Sequence, residues 1–368
     1  MLAALTGLLM EDITSVGLQW ISMIRYLALL ALYVRCFRAD FSFFLPILFG
    51  VFLLSLSFLG GHYNMVGLFV TTMLPISLYV YTKITFSRRE LSIIVLFLLL
   101  FYFLYVVIAF SGVFSINPNQ ISFKILILTV LLFFCIYTKY GGKRIVIYTF
   151  KGKKHIIAPP GLLTLLGFSF LLILLTESRN SLLVYCLLIA AFVVRDWLAK
   201  WNKWGLLLFA LLIIYFVYPP VYCLLSDSFG GASYNTEMMG QDIFSGREYI
   251  WSYIYAQLTN STAFFFGNID TEWWGKSMHN SALDIVVRYG FPAMIFVELI
   301  ILYYFKKYCR IINNKFKPLL CLILATMVWG VNESGLFLGL SFFLFFPCCL
   351  LHSKNKDIDF KYQNIGRR

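Results

Sequence analysis

The segment FSFFLPILFGVFLLSLSFLG (residues 41–60) contains no charged side chain. A helix of about twenty mostly apolar residues is long enough to cross the roughly 30 Å hydrocarbon core of a bilayer. The whole chain has this character, because 61% of its 368 residues are apolar, 13% are charged, and the mean hydropathy is +0.83. Soluble domains carry about 25% charged residues. The sequence therefore predicts an all-α polytopic integral membrane protein.

The same length criterion predicts eleven spans. They are 15–34, 41–60, 63–82, 91–113, 123–138, 159–176, 180–194, 205–225, 281–305, 317–331 and 335–351. Only TESRNS (176–181) separates the sixth span from the seventh, which leaves a re-entrant hairpin as the alternative for this pair. We predict one transmembrane domain over 1–352 and a basic tail over 353–368.

The basic residues predict the orientation, because Lys and Arg accumulate in short cytoplasmic loops next to spans. Most of the 30 Lys and Arg residues fall in alternate connections and in the tail, whereas the other side keeps Lys124, Arg179, Arg247 and Lys276. The C-terminus is therefore predicted to be cytoplasmic and the long loop 226–280 to lie outside. Since the basic residues form short clusters between apolar runs, they indicate topology and not a nucleic-acid surface.

The segment MHNSALDIVVRYGF (278–291) holds the densest group of polar residues near a span. His279 stands at its outer end, and the spacing of four places Asn280, Asp284 and Arg288 on one stripe of a helix. An ionised side chain in a span costs at least about 2.5 kcal/mol, so such a stripe indicates a polar cavity. The alternative is an Asp284–Arg288 ion pair within the helix, with His279 at the membrane interface.

Two further arginines are predicted on the outer side. Arg179 lies in the short TESRNS connection and Arg247 lies in SGREYIW, within a loop segment for which we predict a short amphipathic helix on the membrane. For each arginine alone, snorkelling to lipid headgroups is the alternative. Together they suit a pyrophosphate-bearing lipid, because guanidinium groups bind phosphate oxygens bidentately and would stabilise a pyrophosphate leaving group.

His279 is the predicted general base, because an unperturbed imidazole titrates near neutral pH. The alternative bases are Glu248, Glu177 and Asp284. Glu333, in the outward turn GVNESG (330–335), is interpreted equally well as a solvated acid or as a ligand. The eight cysteines are scattered and no Asp-rich motif is present, so we predict no disulfide framework, no metal and no cofactor.

In chain order, TESRNSLLVYCLLI, SGREYIW and HNSALDIVVRYGFPAMIF resemble the O-antigen polymerase and O-antigen ligase superfamily. The resemblance implies a glycosyltransferase of the bacterial inner membrane with a periplasmic active site, acting on undecaprenyl-pyrophosphate-linked oligosaccharides. It assigns catalysis to Arg179, Arg247 and His279. We assign substrate binding to Arg288, Asn280, Glu248, Asp284 and Glu177. A chain-length regulator and a flippase are the candidate protein partners.

The chain departs from this family in two respects. Members usually have about twelve spans, which leaves open a further first span. An arginine and a glycine separated by ten intervening residues, as in some polymerases, are missing, because Ala190 and Leu258 occupy the glycine positions after Arg179 and Arg247. Because the outer loop is of modest length, we favour an inverting polymerase over a ligase that uses lipid A core as acceptor. A transporter of the same lipid is the rival from another class, although inverted repeats typical of transporters are not evident.

Overall fold

A computed structural model describes most of the chain. The described residues are 19–61, 64–84, 88–111, 118–139, 145–150, 153–157, 160–193, 204–228, 237–238, 241–242, 246–271, 278–311 and 320–333.

Thirteen helices lie in these ranges. They are α1 Gln19–Arg35, α2 Phe41–Leu59, α3 Met65–Tyr81, α4 Arg88–Ser111, α5 Pro118–Lys139, α6 Pro160–Leu175, α7 Arg179–Val193, α8 Trp204–Ser228, α9 Arg247–Gln257, α10 Ser261–Phe266, α11 Ser281–Tyr289, α12 Phe291–Ile311 and α13 Leu320–Val331. Two short antiparallel hairpins accompany them. They pair β1 Ile145–Phe150 with β2 Lys153–Ile157 and β3 Glu237–Met238 with β4 Gln241–Asp242.

The prediction of a helical protein is confirmed, and helices occupy ten of the eleven segments predicted as spans. One of these predictions needs correction. The segment 281–305 is not a single helix, because Gly290 adopts φ +82° and separates α11 from α12. The predicted span 335–351 and the tail 353–368 lie outside the described residues.

Polar side chains fix where several helices begin. Asp40, Asn64, Asn260 and Asn280 each accept a hydrogen bond from a backbone N–H in the first turn of the helix that follows. Such caps satisfy amide groups that have no partner inside the helix. The starts of α2, α3, α10 and α11 are therefore set by single Asp or Asn residues between apolar runs.

The apolar side chains divide into a buried set and an exposed set. Helix α5 is central, because its side chains from Ile121 to Phe133 are all buried between α4, α6 and α7. Large apolar side chains point outward elsewhere, and Phe58, Leu96 and Leu224 are each at least 65% exposed. Among the described helices, α2 and α8 are long and apolar enough to cross a membrane. An exposed apolar surface of this extent favours association with a membrane.

Two glycines bring the loop after α10 against the break between α11 and α12. A Cβ on Gly267 would lie 2.6 Å from the backbone nitrogens of Tyr289 and Gly290. A Cβ on Gly290 would in turn collide with the Phe265 carbonyl. Both residues have positive φ, a conformation that favours glycine. This backbone contact fixes the segment 247–271 on the turn between α11 and α12.

Candidate functional site

The carboxylate of Glu333, two residues beyond the end of α13, joins two of the predicted site residues. Its Oε1 atom lies 3.0 Å from Nη2 of Arg247, and its Oε2 atom lies 3.6 Å from Nδ1 of His279. The side chains are 12% exposed for Glu333, 17% for Arg247 and 35% for His279. Ser281 Oγ donates a 2.8 Å hydrogen bond to the Glu333 carbonyl and so fixes the backbone of the acid.

Arg247 begins α9 because Gly246 turns the chain with φ +76°. The helix packs on α8 through Trp251, whose ring makes edge contacts with Tyr218 and Tyr222 at centroid distances of 5.8 and 5.0 Å. A second anchor is Tyr255, whose hydroxyl donates to the Phe216 carbonyl at 2.9 Å. Burial, together with the nearby Cys223, raises the pKa of Tyr255.

The same tryptophan also positions the histidine segment. Trp251 Nε1 donates a 2.8 Å hydrogen bond to the carbonyl of Met278, the residue before His279. His279 itself has φ +50°, a left-handed conformation that is uncommon for residues other than glycine. Such strain persists only where surrounding contacts hold the backbone, as Trp251 and the cap of α11 do here.

Asn280 is completely buried, and both ends of its amide bond to the protein backbone. The oxygen accepts from the N–H groups of Ala282 and Leu283, and the nitrogen donates to the carbonyls of Tyr215 and Val331 at 3.1 and 3.0 Å. These bonds use its donors and acceptors in full. The structure therefore gives Asn280 a positioning role beside His279 in place of the predicted contact with substrate.

Arg179 begins α7 and approaches the same end of α13. Its neighbour Asn180 donates through Nδ2 to the Trp329 carbonyl at 3.1 Å. Trp329 stacks on Phe123 of α5 with ring centroids 3.5 Å apart. Glu177 lies exposed in the preceding turn with φ +56°. Arg247 and His279 thus contact Glu333 directly, whereas Arg179 is linked to the end of α13 only through its neighbour Asn180.

Two polar groups next to this contact are buried without a hydrogen bond to any described residue. They are Nε of Arg247 and the carboxylate of Glu248, whose residue is only 5% exposed. A buried polar group without a partner costs about 1–3 kcal/mol, and more when it is charged. Because consecutive side chains of a helix point in different directions, these two groups are separate positions for a polar partner and not one site.

Asp284 and Arg288 lie farther along α11. Asp284 is buried and Arg288 is half-buried. Since a helix rises about 1.5 Å per residue, Arg288 lies roughly 10 Å along the axis from the start of α11. Asp284 and Arg288 therefore lie on one stripe of α11, but Arg288, at the far end of this stripe, is distant from Glu333.

Sequence reasoning named Glu333 without including it in the site. Its signal was an acid in a turn that was predicted to lie on the same side of the membrane as Arg247 and His279. Comparisons with protein-family models, curated proteins and solved structures return no match.

Proposed function

We propose that this chain is a membrane glycosyltransferase that polymerises undecaprenyl-pyrophosphate-linked oligosaccharide units on the periplasmic face of the bacterial inner membrane. The observation that carries the proposal is the Glu333 carboxylate between Arg247 and His279. It places a fixed cation and a candidate base together at a site that also holds a buried carboxylate, Glu248.

The apolar surface supports the membrane location. Residues such as Leu27, Phe103 and Leu175 expose more than 60% of their surface, which disfavours a soluble state. Together with the apolar helices α2 and α8, this surface supports a polytopic arrangement.

The grouping of the connections supports the sidedness. The α1–α2 connection contacts the ends of α3 and α12 through Lys83 with Asp40 and Lys307 with Ser42, and all three were predicted to be cytoplasmic. The start of α7 and the start of α9 each contact the end of α13, at the opposite set of helix ends. Segments predicted to share a side are therefore neighbours.

Arg247 keeps donors for a phosphate after it has paired with Glu333. The ion pair uses Nη2, whereas Nε is buried and makes no hydrogen bond to a described residue. Arginine binds phosphate oxygens through such parallel N–H groups. In the proposed reaction Arg247 and Arg179 bind the pyrophosphate of the donor lipid.

The chemical step is an inverting displacement at the anomeric carbon. A hydroxyl of the acceptor sugar attacks this carbon, and His279 takes the hydroxyl proton through Nε2, because Nδ1 faces Glu333. The bond from the anomeric carbon to the pyrophosphate oxygen breaks, and undecaprenyl pyrophosphate leaves with the electron pair. The arginines stabilise the charge that develops on this leaving group. In this proposal Glu248 accepts a hydrogen bond from a sugar hydroxyl.

The surface glycan of a deletion strain tests the function. We expect lipid A core capped by a single repeat unit, because a separate ligase still transfers the unit that it receives. Expression of the chain should restore the ladder of long glycans on a gel. Bare core with polymer retained on its lipid carrier would instead make the chain a ligase. An unchanged ladder in the deletion strain would contradict both functions.

A further inference from the structure

The α1–α2 connection forms a compact polar corner at the end of the molecule opposite Glu333. Lys83 Nζ donates to Asp40 Oδ2 at 3.0 Å, and Ser42 Oγ donates to Asp40 Oδ1 at 2.7 Å. Lys307 Nζ joins this hydrogen-bond network by donating to Ser42 Oγ at 2.9 Å. We refer to Arg35, Arg38, Lys83, Lys307 and Asp40 as the basic corner.

Three tyrosine hydroxyls hold the backbone of this corner. Tyr79 of α3 donates to the Cys36 carbonyl and Tyr304 of α12 donates to the Ser42 carbonyl, each at 2.7 Å. Tyr33 of α1 donates to the Phe43 carbonyl. A connection whose charges served only to set topology would not need anchors from three helices. These three hydrogen bonds therefore hold the backbone from which the basic side chains extend.

The corner carries a surplus of positive charge. Burial raises the pKa of the Cys36 thiol, while the positive charges of Arg35, Lys83 and Arg38 oppose this rise, so all three act on one thiol. Asp40 is the acid paired there with Lys83. Arg35 and Arg38 are exposed, and neither pairs with an acid within the described residues. The two guanidinium groups are available to an anion.

Apolar side chains stand directly beside these cations. Val34 is 68% exposed, Phe37 is 58% exposed and Phe41 is 61% exposed. Fixed cations next to an exposed aromatic surface match a ligand with an anionic head and an apolar body. A free phosphate would leave this apolar surface without a partner.

We propose that the basic corner binds the phosphate headgroup of an anionic phospholipid, with the acyl chains against Phe37 and Phe41. The proposal rests on the membrane-spanning arrangement proposed above. Arg35 and Arg38 contact the phosphate, and the Asp40 network holds their connection in place. Clusters of basic residues at the cytoplasmic ends of helices recognise lipids in this way.

Thermal unfolding of the purified protein in a nonionic detergent tests this site. Added phosphatidylglycerol or cardiolipin should raise the unfolding midpoint, whereas phosphatidylcholine and inorganic phosphate at equal phosphate concentration should not. In Arg35→Gln/Arg38→Gln the apparent lipid affinity should fall by roughly tenfold per arginine, since a direct hydrogen bond to a charged group contributes about 1.5 kcal/mol or more. Arg89→Gln, an exposed arginine at the start of α4, is the matched control and should respond like the wild type.

Equal losses in the corner variant and in Arg89→Gln would overturn the site, as would an equal response to phosphatidylcholine. A response to inorganic phosphate alone would show a simple anion site and would overturn the lipid assignment. This assay requires no glycan. A negative result here therefore leaves the glycosyltransferase proposal standing, and loss of polymer in an Arg247 variant leaves the lipid response intact.

Discussion

Glu333 Oε2 lies 3.6 Å from Nδ1 of His279, while the other oxygen of the same carboxylate contacts Arg247. One acid therefore contacts both His279, the candidate base, and Arg247, the residue proposed to bind the pyrophosphate. A carboxylate beside Nδ1 orients an imidazole and stabilises the cation formed when Nε2 takes a proton. The relationship gives Glu333 a positioning role in the proposed reaction.

Glu333→Gln should lower polymer synthesis by at least about tenfold, because a positioned base contributes roughly 10²–10⁴ in rate. The amide keeps the shape but loses the charge. With purified protein, the loss should appear in kcat more than in KM, and Glu333→Asp should recover part of it. Asp227→Asn, an exposed acid near the end of α8, is the control. A wild-type kcat in Glu333→Gln would contradict the role of this acid.

Arg179→Ala, Arg247→Ala and His279→Ala should each abolish or strongly reduce polymer at normal protein levels in the membrane. Arg→Lys at 179 or 247 should recover only part of the activity, because an ammonium lacks the bidentate fork. Gel analysis of the surface glycan and an immunoblot of membranes measure both quantities. The control Arg89→Ala, at the start of α4, should leave the amount of polymer unchanged. Full activity in Arg247→Ala would contradict the proposal that α9 contributes to the active site.

Gly267→Ala and Gly290→Ala should each destabilise the folded protein by about 1–3 kcal/mol, because the added Cβ meets backbone atoms at positive φ. The control is Gly61→Ala, where φ is +69° but no atom lies within 4 Å of the new Cβ. It should lose only about 1 kcal/mol from the conformation alone. Thermal unfolding in detergent compares the three variants. Equal midpoints would show that the loop after α10 does not need this close contact.

Reporter fusions test the predicted sidedness. A fusion after Gly240 should be active only with a periplasmic reporter, and a fusion after Lys153 only with a cytoplasmic one, because basic residues mark the cytoplasmic side. A cytoplasmic signal from the Gly240 fusion would refute the location of the proposed site.

We expect Asp40 to make the stability of the folded protein depend on pH only at acidic pH. Burial acts to raise its pKa, but hydrogen bonds from Ser42, Lys83 and the Phe43 amide outweigh this and hold the pKa below its ordinary value of 3.8. Its stabilising contribution is therefore complete above that ordinary value and is lost as the pH falls through the lower pKa of the folded state. Asp40→Asn should have a lower unfolding midpoint than the wild type at neutral pH, and the difference should vanish in strong acid. A difference that persists unchanged in acid would contradict the charged role of Asp40.

The length and apolar character of the runs between charged connections were sufficient to predict most helices, because a long apolar segment satisfies its backbone hydrogen bonds best as a helix. The break at Gly290 escaped this reasoning. A hydropathy window averages over one glycine, whereas the turn depends on contact with Gly267, which is distant in sequence.

The site was predictable to a similar degree. The structure does bring Arg247 near His279, and both belong to the loop 226–280 that was predicted to lie outside. Their link through Glu333 depends on how α13 packs, and no local pattern reveals it. Asn280 shows the converse difficulty, because a polar residue beside a candidate base suggested substrate binding, whereas its position before a helix and its burial make it a cap.

The interruption at Gly290 changes how the chain enters the bilayer. Helix α11 has nine residues and is about 13 Å long, less than half of a hydrocarbon core, whereas α12 has 21 residues and alone is about 31 Å long. In the proposed arrangement α11 is a short re-entrant arm, and α12 continues toward the cytoplasmic side, where Lys306, Lys307 and Arg310 lie in its last turns. In this arrangement the Asp284 carboxylate and the Arg288 guanidinium of α11 enter the protein from the periplasmic side. Neither charged group has to pass the centre of the membrane during insertion.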